Sequence, residues 1–478
     1  MPSKSQFIVA LEVLGREQSI EVIVDAKKLE SFSSDKSVYE AHLPCAAVRP
    51  DSLESVSSVV KLCLQHNVPM TPQGAASGLE GGCIPRHGGC VIDTSKLRRF
   101  DIDKANSCVW VGAGWKKLEL LKKVHSEGLH FGPDPASNPS VGGMCSTGGS
   151  GMSTLKYGTT RENVLSLRVV TPSGAIIQTR QVVRKSSTGL DLTQLYCGSE
   201  GTLGVIGEIC FKLHKKLDFI AGGIAQFNTT EDAVKSVVEI RKLGNLHSLI
   251  RCELLNKGAV VVSNQELGTK LPVAPTVLLE FADSEPSLEA IRRDFSVLET
   301  IFQSQRATSV RFLKDGEELE SVWEARRGCL LAAGKFRKRK GEKILNTDVC
   351  VPLSALSDTV VSTEEDFAKA DVPCVICAHI ADGNFHCFIP FQTPEEKQRA
   401  LSLEFRMVRR AIANGGSASG EHGVGVGKVK HLVAEHGAHH IAVQENIKKA
   451  LDPRNLMNPG AFYPSQVALV SINPDAKL

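Results

Sequence analysis

Three glycine-rich stretches are the feature that most constrains the fold of this 478-residue chain. They span residues 74–82, 133–158 and 198–206. Glycine lets the backbone approach a ligand closely and lets successive N–H groups converge, which is how a loop binds a diphosphate. A mobile glycine loop is the alternative for any one stretch taken alone. Together, the stretches predict backbone that lies close against a ligand.

The length of the chain and its hydrophobic pattern predict more than one domain. A chain of 478 residues exceeds the size at which a single core stops growing. From about Leu217, apolar runs typical of strands alternate with amphipathic helices. The predicted strands of this region span 218–227, 248–254, 276–282 and 308–313. We therefore expect a second, α+β domain with an antiparallel sheet.

Local signals predict further elements. Capping residues and the helical spacing of apolar side chains predict helices that begin at Asp51, Trp115, Glu231 and Thr393. A hairpin is predicted with strands at 164–170 and 175–179. No apolar run reaches the length of a membrane span, so we expect none.

Two histidines and a later Glu-His pair form the strongest candidate for a metal site. The motif His379-Ile-Ala-Asp-Gly-Asn-Phe-His386 contains turn residues, which predict a tight bend between its two histidines. Two imidazoles and the carboxylate of Glu421 suit Zn²⁺ or Mn²⁺ better than Ca²⁺ or Mg²⁺. His422 would be left free for proton transfer. Paired histidines are also common as core or surface residues.

The charge of the chain argues against nucleic acid as a partner. The formal net charge is +3, and the densest basic run spans residues 335–340. Such a run is typical of a solvated loop or helix face, and an anion-binding patch is the alternative. Because no aromatic-interleaved basic module accompanies it, we expect no binding to nucleic acid.

The C-terminal tripeptide Ala476-Lys477-Leu478 is a close variant of the Ser-Lys-Leu peroxisomal address. We therefore expect a peroxisomal or glycosomal location and a peroxisomal import receptor as a partner, with a mitochondrial or cytoplasmic location as the alternative. The N-terminus lacks an apolar signal core, and its glutamates Glu12, Glu17 and Glu21 argue against a transit peptide.

The three glycine-rich stretches, in order and over about residues 40–220, resemble the PCMH-type FAD-binding domain of the vanillyl-alcohol oxidase family. The closer resemblance is to the branch of D-lactate and D-2-hydroxyglutarate dehydrogenases, and it covers nearly the whole chain. Four further segments carry it, namely Trp323–Arg326, Asn346–Pro352, His379–His386 and Ser419–Gly423.

The resemblance implies an α+β protein with a two-subdomain PCMH-type FAD-binding domain and a cap domain, whose antiparallel sheet is flanked by helices. Residues 1–40 would lead into the FAD-binding domain at 41–220. Residues 221–450 would form the cap with the substrate and metal sites, and residues 451–478 would return to the FAD-binding domain and end in a tail.

The resemblance also assigns an FAD site. The implied cofactor-binding residues are Pro72, Gly74, Ala75, Ser77, Gly78, Leu79, Pro133, Asp134, Gly142, Gly143, Ser146, Thr147, Gly149, Ser150, Gly151, Tyr157, Gly158, Glu200, Gly201, Thr202, Gly204, Val205, Ile206 and Asn458. No histidine occupies the position where some relatives attach flavin covalently, so non-covalent FAD is expected.

The activity implied by the resemblance is FAD-dependent, metal-assisted oxidation of a D-2-hydroxy acid, with hydride transfer to the flavin and then to an unidentified electron acceptor. His379, His386 and Glu421 match the metal ligands. Arg326 matches the arginine that binds the substrate carboxylate, and a surface ion pair is its alternative. His422 matches the general base, and a fourth metal ligand is its alternative.

Asn346 bears on the substrate. In relatives that take dicarboxylates, a lysine matches this position and binds the second carboxylate. Asn346 therefore favours a monocarboxylic acid, and the expected reaction is oxidation of D-lactate to pyruvate. The alternative is that the nearby Lys343 takes the place of that lysine. Three alternatives remain, namely a D-2-hydroxyglutarate or glycolate dehydrogenase, an alkylglycerone-phosphate synthase-like transferase and a non-enzymatic scaffold. The transferase relies on adjacent histidines, for which His439-His440 is a poor match. A nicotinamide site at Gly423–Lys428 lacks the strand and the ribose-binding acid that it needs.

Overall fold

Two sheets frame the first domain in the computed structural model, which describes residues 4–244, 246–286, 288–335, 337–339 and 341–463. The four-stranded sheet has, in spatial order, the strands Glu21–Ile23, Ala46–Arg49, Cys90–Asp93 and Met70–Gln73. The five-stranded antiparallel sheet has the strands Phe100–Asp103, Cys108–Gly112, Val205–Lys212, Val164–Val170 and Ile176–Gln178. A separate ribbon pairs Leu129–His130 with His214–Lys215. Both sheets contribute side chains to one hydrophobic core.

Two long helices of the first domain, Lys4–Glu17 and Leu53–His66, pack against each other. The second begins after Ser52, whose hydroxyl accepts a hydrogen bond from the Ser55 N–H at 3.2 Å. Its start was predicted at Asp51, two residues too early, because Ser52 and not Asp51 caps the helix. The shorter helices of this domain are Ala26–Leu29, Lys117–His125, Val141–Thr147, Thr154–Tyr157, Thr160–Asn163 and Leu192–Tyr196.

Residues 4–32, which the sequence suggested as a lead-in, are part of the first domain. Phe7 and Leu11 lie in its core, and the strand Glu21–Ile23 pairs antiparallel with Ala46–Arg49. The helix that carries these side chains was not foreseen because apolar residues such as Val9 and Val13 lie on its exposed side and obscure the helical spacing.

An eight-stranded sheet, in which all the pairings are antiparallel, forms the centre of the second domain. Its strands, in spatial order, are Ser309–Lys314, Phe219–Gln226, Thr276–Asp283, Leu249–Leu255, Ile376–His379, Asn384–Phe391 and Lys343–Asn346, with Val349–Cys350 also paired to the sixth. The four strands predicted from apolar runs are all present, within one or two residues. We call this sheet the cap sheet.

Helices flank the cap sheet, as predicted. They span Thr230–Lys242, Lys257–Leu267, Glu289–Ser304, Glu317–Ala333, Leu353–Lys369 and Pro394–Ala413. A short turn between the strands that carry His379 and His386 ends at Gly383, whose φ of +78° is left-handed. A Cβ at Gly383 would lie 2.2 Å from the Val351 carbonyl oxygen, so this bend needs glycine.

The end of the described chain returns to the first domain. The last helices are Leu432–His436 and Ala438–Leu451, and the buried Lys448 of the second donates to the Thr202 carbonyl at 2.7 Å. Beyond this helix, Asn458 N–H donates to the Met70 carbonyl at 2.6 Å, which attaches the segment to the four-stranded sheet. The return therefore begins at the helix 438–451, earlier than the predicted residue 451.

The architecture is α+β with an antiparallel cap sheet, as the sequence predicts. Among the described residues, none of the helices has both the length and the apolarity needed to span a bilayer. The C-terminal tripeptide Ala476-Lys477-Leu478 lies outside the described residues.

Candidate active site

A cavity of about 450 Å³ is lined by residues of both domains. From the first domain, the glycine-rich stretches line it. From the second, the lining side chains are Arg326, Arg327, Leu330, Leu331, Asn346, His379, His386, Phe388, Glu421 and His422. The candidate catalytic and metal-binding residues therefore face the same space as the predicted cofactor loops.

Residues 74–79, which we call the phosphate loop, follow the strand Met70–Gln73 and line the cavity. None of their backbone N–H groups donates to an acceptor in the part of the chain that the structure describes. Such a row of free donors suits a diphosphate. At Gly74 a Cβ would lie 2.2 Å from Ser140 Oγ, so the loop packs closely against the second stretch. These observations fit FAD.

His379, His386 and Glu421 place one ligand atom each within 4.8 Å of the others, and we call them the metal triad. Glu421 Oε1 lies 3.1 Å from His379 Nε2 and 3.3 Å from His386 Nε2. Its second oxygen accepts a hydrogen bond from Ser150 Oγ at 2.8 Å. The carboxylate thus presents one oxygen to both imidazoles.

The remaining ring nitrogens of the metal triad have other partners. His379 Nδ1 lies 2.8 Å from Glu253 Oε1, and His386 Nδ1 lies 3.1 Å from the Thr347 carbonyl oxygen. With Nδ1 protonated, each ring offers the Nε2 lone pair to an ion, as metal-binding histidines do. Burial lowers the pKa of His379, but Glu253 and Glu421 outweigh it and raise this pKa to about 10, so the ring must release its Nε2 proton when an ion binds. This set of donors fits Zn²⁺ or Mn²⁺.

His422 stacks on His386, with ring centroids 4.8 Å apart. Its Nε2 lies 4.0 Å from Glu421 Oε1, and its Nδ1 lies 3.9 Å from Asp348 Oδ2. Burial lowers the pKa of His422 to about 4, although Asp348 opposes the shift. The imidazole is therefore neutral at pH 7 and can accept a proton.

Arg326 is buried, with 4% of its surface exposed, and lines the cavity. Its Nε donates to Glu253 Oε2 at 2.7 Å. Within the described residues, no hydrogen bond uses its terminal nitrogens. The alternative of a surface ion pair is therefore wrong, because the pair with Glu253 is internal. Arg327, the next residue of the same helix, lines the cavity as well and forms an ion pair with Glu320.

Comparison with known proteins decides the family. Residues 44–180 match the model of the FAD binding domain, and residues 219–462 match that of the C-terminal domain of FAD linked oxidases. The chain belongs to the family of FAD-linked oxidases. It is 36% identical to the mitochondrial D-lactate dehydrogenase (cytochrome) of Arabidopsis thaliana, over 89% of this chain and 74% of that protein.

A second relative and a solved structure agree with this assignment. The chain is 32% identical to the mitochondrial D-lactate dehydrogenase (cytochrome) 1 of Saccharomyces cerevisiae, over 91% of this chain and 78% of that protein. The structure of 4-ethylphenol oxidase from Gulosibacter chungangensis has the same fold, with a TM-score of 0.76 at 14% identity, covering 97% of this chain and 99% of that one. The expected PCMH-type fold and the expectation of a flavin-dependent oxidoreductase are confirmed.

The expected peroxisomal or glycosomal location is wrong. Both relatives are named as mitochondrial proteins. A three-residue match to a peroxisomal address arises easily by chance, and the comparisons give no support to a peroxisomal import receptor as a partner of this FAD-linked oxidase.

Most of the cofactor-binding residues predicted for this FAD-linked oxidase line the cavity. They are Pro72, Gly74, Ala75, Ser77, Gly78, Leu79, Gly142, Gly143, Ser146, Thr147, Gly149, Ser150, Glu200, Gly201, Gly204 and Ile206. Lining residues that were not predicted include Gln73, Ala76, Glu80, Gly82, Cys83, Thr94, Pro135, Ala136, Ser137, Pro139, Ser140 and Met144. All of these except Thr94 lie within or directly beside the glycine-rich stretches, whereas Thr94 follows the strand Cys90–Asp93 and had no signal in the sequence.

The other predicted cofactor residues are not among the described residues that line the cavity. They are Pro133, Asp134, Gly151, Tyr157, Gly158, Thr202, Val205 and Asn458. Asp134 forms an ion pair with Lys117 at 2.9 Å and another with Arg251 of the cap sheet. The Tyr157 ring packs between those of His130 and His214. In the structure, these residues support the loops.

Glu200 shows why the segment Gly423–Lys428 is not a nucleotide loop. Its carboxylate accepts hydrogen bonds from the Val424 and Gly425 N–H groups, at 2.6 and 2.8 Å. The amino group of Lys428 is buried and lies 3.2 Å from Asp348 Oδ2. The backbone N–H groups and the lysine that would have to bind a nucleotide phosphate are thus already paired with carboxylates of the protein.

Asp348 was named in the sequence only as part of a motif, yet it anchors the segment that carries Glu421 and His422. It is fully buried, and its Oδ2 accepts hydrogen bonds from the N–H groups of these two residues at 2.9 and 3.0 Å. Asn384 donates to its Oδ1 at 2.7 Å. Asp348 therefore fixes the backbone of the candidate base and of one candidate ligand.

Asn458 joins two cofactor loops, because its amide donates to the Gly82 and Glu200 carbonyls at 2.8 Å each.

We predict that Asn458→Gly weakens FAD binding roughly ten-fold, since both buried carbonyls lose a partner worth about 1–2 kcal/mol. Glycine keeps the positive φ of 46° accessible. The measurement is the dissociation constant of FAD, followed by flavin fluorescence. Asn455→Gly is the control, because the exposed Asn455 also has a positive φ. Equal FAD affinity in both variants would contradict the assignment.

Proposed function

We propose that this FAD-linked oxidase catalyses metal-assisted oxidation of D-lactate to pyruvate. One observation carries the proposal: the metal triad, Arg326 and His422 line the same cavity as the unpaired N–H groups of the phosphate loop. A single small substrate could therefore contact a cation, an arginine, a base and a flavin at once. Relatives that share about a third of the sequence and bear the name D-lactate dehydrogenase support this choice of substrate.

The chain supplies a place for each reacting group. His379, His386 and Glu421 would hold the metal, and the phosphate loop with the second glycine-rich stretch would hold FAD. When bound, the metal supplies a Lewis acid that lowers the pKa of the substrate hydroxyl, and FAD supplies the hydride acceptor. The cap would cover these groups, because its side chains line one wall of the cavity.

His422 would take the proton of the substrate hydroxyl, and Arg326 would bind the carboxylate. His422 is neutral at pH 7 because burial holds its pKa at about 4. The terminal nitrogens of Arg326 make no hydrogen bond within the described residues, so they can donate to a carboxylate in a charge-assisted, bidentate pair.

Arg326→Lys is expected to raise KM for D-lactate about ten- to a hundred-fold while changing kcat less. Lysine keeps the charge beside Glu253 but loses the fork that binds a carboxylate through two hydrogen bonds. Steady-state kinetics with an artificial electron acceptor measures the effect. Arg327→Lys is the competing variant, because Arg327 also lines the cavity but its guanidinium is paired with Glu320. The assignment is wrong if the Arg327 variant shows the larger rise in KM.

Residues near the substrate favour a monocarboxylic acid. Asn346 lines the cavity, whereas the exposed Lys343 does not. Lys343 therefore does not supply the contact to a second substrate carboxylate that a lysine makes in relatives that take dicarboxylates. Leu330 and Phe388 make the same part of the cavity apolar. His439 and His440 are exposed on the helix Ala438–Leu451, which argues against a transferase that relies on adjacent histidines.

A panel of D-lactate, glycolate and D-2-hydroxyglutarate tests the substrate. We expect the highest kcat/KM for D-lactate and the lowest for D-2-hydroxyglutarate, whose second carboxylate would meet Asn346 and apolar side chains in place of the lysine of the relatives that take dicarboxylates. A preference for the dicarboxylate would contradict the proposal.

We also propose a mitochondrial location and a cytochrome as the electron acceptor. The names of the two relatives support both, because they describe mitochondrial proteins and include the word cytochrome. Imaging of the full chain with an internal tag tests the location, and reduction of cytochrome c by the purified holoenzyme with D-lactate tests the acceptor.

A further inference from the structure

A buried glutamate, which no sequence motif indicated, contacts both the metal triad and the candidate substrate-binding arginine. Glu253 lies on the strand Leu249–Leu255, and its side chain is 1% exposed. Its Oε1 lies 2.8 Å from His379 Nδ1, and its Oε2 accepts a hydrogen bond from Arg326 Nε at 2.7 Å. We infer that Glu253 is a positioning residue, which orients a metal ligand through one oxygen and the substrate-binding arginine through the other.

The cap sheet sets this geometry. Its register pairs Leu254 with Ala378 on the neighbouring antiparallel strand, so Glu253 lies beside His379 across the two strands. The helix Glu317–Ala333 supplies Arg326 from a third element. One carboxylate therefore links two strands and a helix that meet at the cavity.

On the histidine side, Glu253 selects the tautomer. A carboxylate accepts a hydrogen bond from Nδ1–H, which leaves Nε2, 3.1 Å from Glu421 Oε1, as the ring atom that binds an ion once its proton is released. A neutral amide at position 253 could still accept from His379, but it would then turn its NH₂ group toward the Arg326 guanidinium. Because both partners of Glu253 are donors, only a carboxylate satisfies them together.

On the arginine side, Glu253 fixes the plane of the guanidinium. With Nε bound, the two terminal nitrogens stay available to the cavity that Arg326 lines. Holding the arginine and the histidine on one carboxylate sets the distance between the carboxylate-binding group and the metal triad. A 2-hydroxy acid needs this spacing to reach both with adjacent functional groups.

The inference rests on the proposed function, and Glu253→Gln tests it. In FAD-loaded, metal-stripped protein, we expect Zn²⁺ affinity to fall about 10- to 100-fold, measured by competition with a chromophoric chelator. KM for D-lactate should rise on the order of ten-fold in the zinc-loaded enzyme, since the arginine loses its orientation. FAD affinity should not change.

Glu280→Gln is the matched control. Glu280 lies on the adjacent strand of the cap sheet and forms an ion pair with Arg251 at 2.9 Å, but it does not line the cavity within the described residues. A merely structural loss of a buried ion pair would affect both variants alike, lowering the melting temperature without a selective loss of Zn²⁺ affinity.

The outcomes separate this inference from the proposed function. Wild-type zinc affinity and wild-type KM in Glu253→Gln would overturn the inference, whereas a wild-type protein that binds no divalent metal would overturn the metal assistance of the proposed function. If the glutamine variant does not fold, Glu253→Asp replaces it, because a shorter carboxylate reaches only one of its partners. Unchanged zinc affinity and KM in the aspartate variant would overturn the inference too.

Discussion

His422→Asn is expected to lower the rate of flavin reduction by D-lactate about 10²- to 10⁴-fold, the usual effect of removing a general base. Asparagine can occupy the space against His386, but its amide does not accept a proton at neutral pH. FAD binding should persist, because His422 adjoins the metal triad and not the phosphate loop. The measurement is the rate of bleaching of the flavin absorption after anaerobic mixing with D-lactate.

The control for this variant is His431→Asn. His431 is also a buried histidine, and its Nε2 lies 3.0 Å from Glu404 Oε1. It does not line the cavity within the described residues, so its variant should reduce flavin within about two-fold of wild type. The alternative role of His422, as a fourth metal ligand, predicts that His422→Asn loses metal. Wild-type metal content with slow reduction supports the base, and a wild-type rate of reduction contradicts it.

Removal of the metal is expected to slow flavin reduction by about 10³-fold or more. Polarisation of the substrate by a divalent ion contributes several kcal/mol in the transition state, and each 1.4 kcal/mol is a factor of ten. Treatment with a chelator followed by desalting should leave the protein yellow but unreactive. Zn²⁺ or Mn²⁺ should restore the rate better than Mg²⁺, because imidazole ligands suit the first two.

Glu421→Gln distinguishes loss of the metal from damage by the chelator. The variant loses the charged oxygen that lies between His379 and His386, so it should bind Zn²⁺ weakly and stay slow after metal is added back. Full activity of chelated wild type with no residual metal would contradict metal assistance and leave the three side chains with a structural role.

Sequence alone predicted the elements of the cap closely. The strands near 218–227 and 276–282 are marked by apolar runs, and burial of both faces of the cap sheet makes these runs continuous. The N-terminal helix was missed because exposed apolar residues, such as Val9 and Val13, obscure its helical spacing.

The residues that sequence reasoning missed act through contacts between distant positions. Glu253 and His379 are 126 residues apart, and Asp348 and His422 are 74 apart. No spacing rule connects such positions, and a single buried acidic residue in an apolar strand gives no local signal beyond its cost of burial. That cost was the one available clue for Glu253, which lies in the run Leu249–Leu255.

The central claim is that this FAD-linked oxidase passes electrons from D-lactate to its flavin with the help of a bound metal. Anaerobic mixing of the purified protein with D- and with L-lactate, before and after treatment with a chelator, tests it most directly. We expect bleaching of the flavin absorption by D-lactate, little by L-lactate, and almost none after chelation. A colourless protein after reconstitution with FAD, or equal bleaching by both enantiomers that survives chelation, would contradict the account.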